Sequence, residues 1–323
     1  MIKITLKGDV VKEFDAGITA YEVAKEISMG LAKAACAVRI NGVNADLRTP
    51  LTEDCALEIL TFDDEYGRWS FRHTASHILA QAVKRLFPEA KLAIGPAVDD
   101  GFYYDFDVET SFTPDDLLKI EAEMKKIVKE DIKLERFTMT RDEAIKYFTE
   151  KNEPYKLELA EGIPEGEDIS FYSQGDFCDL CAGAHLMSTA PVKAFKLTSA
   201  TGAYWRGDSS KKMLCRVYGT AFPKASELEA HLTMLEEAEN ISIPESRLID
   251  RFMKYYIPFL MITFKLKKKQ IYKNAFLFAG ANMKANLLIS AILTLGGGIL
   301  FAVLEWNNPA TLGGLNMGEK LLA

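Results

Sequence analysis

Sulfur and imidazole are scarce in this sequence: 5 cysteines and 4 histidines among 323 residues. An odd number of cysteines in a chain of this length supplies no disulfide framework and fits reduced thiols in a cytosolic setting. Cys36, Cys55, Cys178 and Cys215 are expected as buried apolar fillers, and only Cys181 stands in ligand-like company. The N-terminal MIKITLKGDVV lacks the apolar stretch of a secretory signal, so a cytoplasmic chain is expected. There is no internal repeat and no low-complexity tract. Residues 241–323 contain neither Cys nor His, which excludes a thiolate or imidazole metal site there.

Charge is unevenly spread. The chain carries 39 Lys+Arg and 46 Asp+Glu, of which residues 241–323 hold 10 and 4, leaving 29 and 42 for the first 240 residues. The first 240 residues are therefore acidic and the tail basic. Acidity is unhelpful for a nucleic-acid partner, so any such binding would depend on local basic groups such as Lys193, Lys196, Arg206, Lys211, Lys212 and Arg216.

The length suggests two or three domains. Residues 1–62 read as a small β-grasp-like unit: alternation over residues 2–6, a Thr19-Ala-Tyr-Glu22 capping box, and Asn41-Gly42 as a type I′ hairpin signal. Residues 63–224 read as an α+β domain. Its first helix is expected over residues 73–87, stopped by Pro88. Thr113 and Thr140 cap two further helices, and strands are expected at residues 101–106, 169–171, 192–198 and 213–218. Ser226-Glu-Leu-Glu229 opens an amphipathic linker helix within residues 225–240, on which His231 is expected to be solvated.

Three of the four histidines fall in two short clusters, His73-Thr-Ala-Ser-His77 and Cys181-Ala-Gly-Ala-His185. An i, i+4 histidine pair lies on one helical face, and a returning Cys and His would complete four N/S groups for a metal ion or a polarised water. Asp179 stands two residues before Cys181, where a carboxylate can orient an imidazole or hold an ammonium group. Lys156 lies between the clusters in sequence, and spacing alone makes it a surface lysine. Either use of the clusters implies hydrolytic or metal chemistry.

Taken together, His73-Thr-Ala-Ser-His77-Ile-Leu-Ala, Gly95-Pro96, Gly101-Phe-Tyr-Tyr-Asp-Phe106, Tyr155-Lys156, Asp179-Leu-Cys181-Ala-Gly-Ala-His185 and Gly202-Ala-Tyr-Trp-Arg-Gly-Asp208 resemble the amino-terminal half of bacterial threonyl-tRNA synthetases. That half comprises a TGS domain and an editing domain that hydrolyses seryl-tRNA(Thr). The resemblance implies that His73 and Lys156 position or activate water. His77, Tyr104, Asp179, Cys181 and His185 would shape the pocket and hold the substrate, and the acceptor end of tRNA(Thr) would be the partner. It implies no required cofactor, while zinc on His73, His77, Cys181 and His185 stays open. One departure is Ala184, where the family usually has proline; it removes no chemical group.

After position 239 the family would enter its class II catalytic domain, but no ATP-site motif follows, so ligase activity is not expected. Residues 284–323, with Glu305-Trp-Asn-Asn-Pro-Ala-Thr-Leu-Gly313 and Gly318-Glu-Lys-Leu-Leu322, instead resemble a stretch of the Trk/Ktr potassium-transporter membrane subunit. Residues 287–304 are 18 in number and uncharged, long enough for a candidate membrane span. Lysines on its N-terminal side would keep that side in the cytoplasm. A single span without a filter cannot conduct ions. The chain thus reads as a truncated synthetase-like fragment joined to a transporter-like tail. It is either an editing deacylase, with membrane association through the tail, or a nonfunctional chimeric remnant.

Overall fold

The computed structural model describes the backbone of residues 1–241 and the side chains of residues 1–236. The expectations for residues 241–323, including the span at 287–304, fall outside the described residues apart from Ile241, the last residue of a helix. Among the described residues no helix is long and apolar enough to cross a membrane. Residues Met1–Met234 form one compact unit.

The first sixty residues build a five-stranded sheet in the order Val10–Phe14, Ile2–Leu6, Cys55–Leu60, Ala37–Ile40, Val43–Ala45. Ile2–Leu6 and Cys55–Leu60 run parallel, and the other neighbours are antiparallel. This is the expected β-grasp arrangement. Asn41 and Gly42 both have positive φ (48° and 84°), as a type I′ turn requires, and they set the register Ile40 opposite Val43. Helix α1 (Ala20–Ile27) starts on the Thr19/Glu22 capping box, and a short α2 (Met29–Ala34) follows on Ser28. The core beneath is apolar: Ile4, Val23, Val38, Leu47 and Leu57 are all buried.

Helix α3 spans Glu65–Leu86, two turns longer at its start than the expected 73–87. Its opening turn, Glu65-Tyr-Gly-Arg-Trp69, has no apolar periodicity to announce it. Asp64 precedes it without a side-chain cap, its carboxylate accepting instead from the Thr61 amide at 2.8 Å. Helices α4 (Pro114–Glu130) and α5 (Arg141–Glu150) begin on the capping boxes at Thr113 and Thr140. Helix α6 (Pro154–Glu161) has no side-chain cap, and Pro154 in its first turn is its one start signal. The last helix, α7, is Ala225–Ile241.

Two sheets complete the region. One runs Ala194–Tyr204, Met213–Phe222, Gly101–Asp107, Lys91–Leu92; the other runs Leu134–Met139, Ile169–Gln174, Phe177–Leu180. The 194–204 and 213–222 strands are longer than their apolar runs because antiparallel pairing continues through Gly202 opposite Cys215. Helix α3 lies over the first sheet and buries nearly every side chain from Ser70 to Val83, polar ones included. That burial decides where the chemistry sits.

Candidate functional site

Burial of α3 places His73 and His77 in the interior, one turn apart on one face, with ring centroids 5.1 Å apart. The segment after the Phe177–Leu180 strand returns Cys181 and His185 against them. The His185 ring lies 4.4 Å from His73 and 4.2 Å from His77. Cys181 Sγ is 3.2 Å from His185 Nε2 and 3.6 Å from His73 Nε2. All four side chains are buried, and one donor atom from each lies within 4.8 Å of the other three.

This close approach depends on Gly183. A Cβ there would come within 2.3 Å of the Trp69 ring and 2.8 Å of His73 Nδ1, so no larger residue fits at position 183 without a shift. Gly95 has the same function on the opposite wall, where a Cβ would sit 2.0 Å from Tyr104. Ser76 of α3 donates to the Gly95 carbonyl at 2.6 Å and ties that loop to the helix.

A second chain of groups adjoins the cluster. Lys156, 3% exposed, reaches from α6 to Asp179 Oδ1 at 2.6 Å. Tyr104 donates its hydroxyl to Asp179 Oδ2 at 2.6 Å, and His77 Nε2 lies 3.9 Å from the same oxygen. The expectation that spacing makes Lys156 a surface lysine is corrected: α6 turns it inward, and Glu153, which accepts from Lys84 and from the Leu92 amide, anchors the start of that helix. An ammonium held against a carboxylate in the interior is fixed in position by it.

Protonation follows from burial. Desolvation, and for His73 the adjacent His77, holds His73 well below the ordinary histidine range. Burial and the charge on Lys156 bring His77 down to about 3, and burial with the neighbouring His77, His73 and Arg48 holds His185 well below the ordinary range. All three imidazoles are neutral at pH 7, able to accept a proton or offer a lone pair. Burial also pushes the Cys181 thiol up to about 12. Thr74 Oγ1 donates to the Ser70 carbonyl at 2.9 Å and lies 3.2 Å from His185 Nδ1, which assigns the proton of His185 to Nδ1 and leaves Nε2 free to face Cys181.

The donor set suits zinc. Three neutral imidazoles and a thiol converge at ligand-like spacing, and His185 already has the hydrogen-bonded outer nitrogen typical of a metal ligand. The buried cluster is consistent with a zinc site. A bound cation would lower the Cys181 thiol, offsetting the desolvation that keeps it protonated.

Two supporting residues come from the β-grasp region, where the sequence shows no catalytic cluster. Asp46 Oδ2 accepts from the Tyr172 hydroxyl at 2.8 Å and from the His185 amide at 3.2 Å. Arg48 pairs with Asp46 and donates to the carbonyls of Leu134, His185 and Leu186 at 2.6 to 3.2 Å. Together they fix the backbone that presents His185. The sequence around them, Asp46-Leu-Arg-Thr49, carries no local signal of that role. Of the basic groups expected to meet a polyanion, Lys196, Arg206, Lys211, Lys212 and Arg216 are each within 4 Å of a carboxylate.

A β-grasp region packed on an α+β region with a buried His/Cys cluster is matched by two domain families. Residues 2–61 match the TGS domain, and residues 169–218, which include Asp179, Cys181 and His185, match the threonyl and alanyl tRNA synthetase second additional domain. Among individual proteins, the threonine-tRNA ligase of Acetivibrio thermocellus is 64% identical over 239 residues, covering 74% of this chain and 38% of that enzyme. Those of Clostridium botulinum and Clostridium tetani are each 62% identical over 239 residues, covering 38% and 37% of their lengths. The similar part of this chain is thus related to the N-terminal region of threonine-tRNA ligases, and the chain spans less than two fifths of the length of these relatives.

Proposed function

We propose that residues 63–224 form an editing domain that hydrolyses seryl-tRNA(Thr), with residues 1–62 as its TGS domain, residues 225–240 as a linker helix and residues 241–323 as an appended tail. The observation that carries this reading is the burial of His73 beside His77, whose Nε2 lies 3.9 Å from the Asp179 carboxylate that also holds Lys156 and Tyr104. Such a site answers a specific need. A pocket selecting threonine gains only about 1–3 kcal/mol from one methyl over serine, so a second site must remove the error.

In the proposed reaction a water attacks the ester carbonyl carbon and passes its proton to the His73 imidazole. The ester C–O bond breaks, and the ribose oxygen leaves as a hydroxyl after taking a proton back. Lys156, held by Asp179, donates to the water or to the developing oxyanion. His77, Tyr104, Asp179, Cys181 and His185 shape the pocket, with the Asp179 carboxylate placed to accept from the seryl ammonium. Hydrolysis is assigned to these side chains. A zinc ion held by His73, His77, Cys181 and His185 would occupy the lone pair with which His73 accepts the proton, so a metal-loaded site would supply Lewis acidity in place of that base. The acceptor end of tRNA(Thr) is the partner, in the cytoplasm.

The test is deacylation of Ser-tRNA(Thr) by the full chain. His73→Ala and Lys156→Ala should each lose at least about a hundredfold in rate, and normal turnover by both would sink the reading. Dialysis against a chelator, with metal content measured, separates the metal-free from the zinc-assisted form.

A second reading, a chimeric remnant whose tail is a potassium-transporter segment, is favoured by the extent of the similarity, 239 of 323 residues. Activity in residues 1–240 but none in the full chain would support it. Equal activity in both would leave the tail as a tether, and vesicle flotation would show whether residues 287–304 insert.

A further inference from the structure

The segment Gly202-Ala-Tyr-Trp-Arg-Gly-Asp208, conspicuous in the sequence, supplies no group to the proposed reaction. It ends the strand Ala194–Tyr204 and begins the turn that leads to Met213–Phe222. Gly207 takes a φ of 72° and Arg206 one of 53°, and the Asp208 carboxylate accepts from the Ser210 amide and hydroxyl at 2.9 and 2.7 Å. The Trp205 amide closes the turn by donating to the Lys212 carbonyl at 3.1 Å. Folded in this way, the turn presses Trp205, 3% exposed, into a small apolar cluster with Ala93, Leu214, Ile94, Tyr155 and Leu159.

Tyr155 and Leu159 belong to α6, and so does Glu158, whose carboxylate accepts from the Trp205 indole N–H at 2.8 Å. That bond, and then Lys211, hold the Glu158 carboxyl below its ordinary range. Positions 155, 158 and 159 are i, i+3 and i+4, so they form one face of the helix, docked on the turn. The Tyr155 and Trp205 rings meet edge to face with centroids 5.0 Å apart, and the Tyr155 hydroxyl donates to Asp107 at 2.8 Å. Arg206 and Lys211 approach the same Glu158 carboxylate at 3.3 Å, and Lys212 reaches Asp107 at 2.6 Å, so three of the basic groups surround this joint. Lys156 and Ala160 are buried on the next stripe of α6, about 100° round the axis, where Lys156 meets Asp179 at 2.6 Å.

An eight-residue helix without a side-chain cap has little stability of its own, so its orientation comes from its contacts. Glu153 and Arg141 hold its two ends. Between those ends, among the described residues, the polar contacts that fix its rotation are those of Tyr155 and Glu158, apart from Lys156 itself. With a helix radius of about 5–6 Å, a rotation of about 10° carries a side-chain tip some 1 Å. A catalytic group misplaced by that much loses up to about a hundredfold in rate.

We propose that Trp205 is a positioning residue for Lys156: through Glu158 and Tyr155 it fixes the rotation of α6, and with it the aim of Lys156 Nζ at Asp179. The assignment rests on the hydrolytic reading for the role of Lys156, but the aim of that lysine can be measured without turnover.

The full chain is treated with formaldehyde and a borohydride, and methylation of Lys156 is read by peptide mass spectrometry against the exposed Lys119, alongside kcat and KM for Ser-tRNA(Thr). Lys156 should be protected in the wild type. Trp205→Phe keeps the apolar filling and loses the indole donor, so labelling of Lys156 should rise and kcat should fall about tenfold or more at unchanged KM. Glu158→Gln still offers an oxygen to the indole and should retain most of the rate, whereas Glu158→Leu offers none and should match Trp205→Phe. A residue that merely fills the core would not produce that order. Glu158 is 39% exposed, so its two variants keep the test open should Trp205→Phe weaken the fold. Wild-type kcat and protected Lys156 in both Trp205→Phe and Glu158→Leu would overturn the assignment, as would a rise in KM alone. Labelling that rises in a chain leaving Ser-tRNA(Thr) intact would keep the positioning role and sink the hydrolytic reading. Hydrolysis unmoved by either variant would do the reverse.

Discussion

The two folded regions handle polar groups in opposite ways. In residues 1–62 the interior is apolar, and Asp46 is the one buried charged or polar side chain. In residues 63–222 the interior holds Arg72, His73, His77, Gln81, Glu153, Lys156, Asp179 and His185, among others. Burying such groups is costly unless each finds a partner, so the second region spends its hydrogen bonds on arranging them and the first does not have to. Chemistry sits where that cost is met. Asp46, the exception in the first region, faces the second and holds the His185 amide.

The contrast can be broken most severely at Asp179. Asp179→Ala removes the acceptor shared by Lys156 and Tyr104 and leaves a buried ammonium unpaired, which should cost about 3–5 kcal/mol and abolish deacylation. Urea unfolding of the variant, read with its activity, checks both; a loss below about 1 kcal/mol would mean that water reaches Lys156. In the apolar region, Leu57→Ala should cost a comparable or slightly smaller amount, about 2–4 kcal/mol, by leaving a cavity. The kcat of deacylation should not move while the chain remains folded, and a large fall in kcat would show that the two cores are not separable.

Arg48→Ala tests the bridge between the regions. It removes donors to three carbonyls and the partner of Asp46, with an expected cost of about 1.5–3 kcal/mol. Since its contacts converge on the His185 backbone, kcat should fall as well, in contrast to Leu57→Ala. Restoration of the rate by Arg48→Lys would argue for charge rather than the forked geometry.

The smallest effect is on pH dependence. With the chelated protein, His77 is depressed from the ordinary 6.5 to about 3, and His73 and His185 are lowered in the same direction. The unfolded chain then binds more protons than the folded one below pH 6.5, so stability is full above 6.5 and declines as pH falls towards 3. Between pH 6.5 and 5, above most carboxylate titrations, each histidine contributes at most about 2 kcal/mol of that decline. Denaturant midpoints for the wild type and His77→Asn should diverge least at pH 5, and a constant difference across the window would show that His77 binds its proton equally well in the folded and unfolded chain.

Much of the fold was legible. The capping boxes at Thr19, Thr113 and Thr140 and the Asn41-Gly42 turn all act within four residues, and each appears as read. What was missed lacks such local signals. The first turns of α3 show no apolar period, α6 has no side-chain cap, and the Phe177–Leu180 strand that carries Asp179 is four residues long and gains its partner only from Ile169–Gln174. His73, His77, Cys181 and His185 were nameable from spacing because His and Cys are so few, whereas Lys156 and Tyr104 were named only through the family resemblance. Their surroundings were not legible, and neither Asp46 nor Arg48 could be linked to His185 from positions 139 and 137 residues away.

The sequence by itself determined which side chains could do chemistry and which short segments would carry them, since helix caps, tight turns and i, i+4 spacing depend on neighbours along the chain. Only the tertiary structure decided that Lys156 lies inside against Asp179, that the imidazoles are neutral, and that a β-grasp loop holds the backbone of His185. Those properties follow from desolvation and from contacts between segments far apart along the chain, up to 139 residues for Asp46 and His185, which no local pattern specifies.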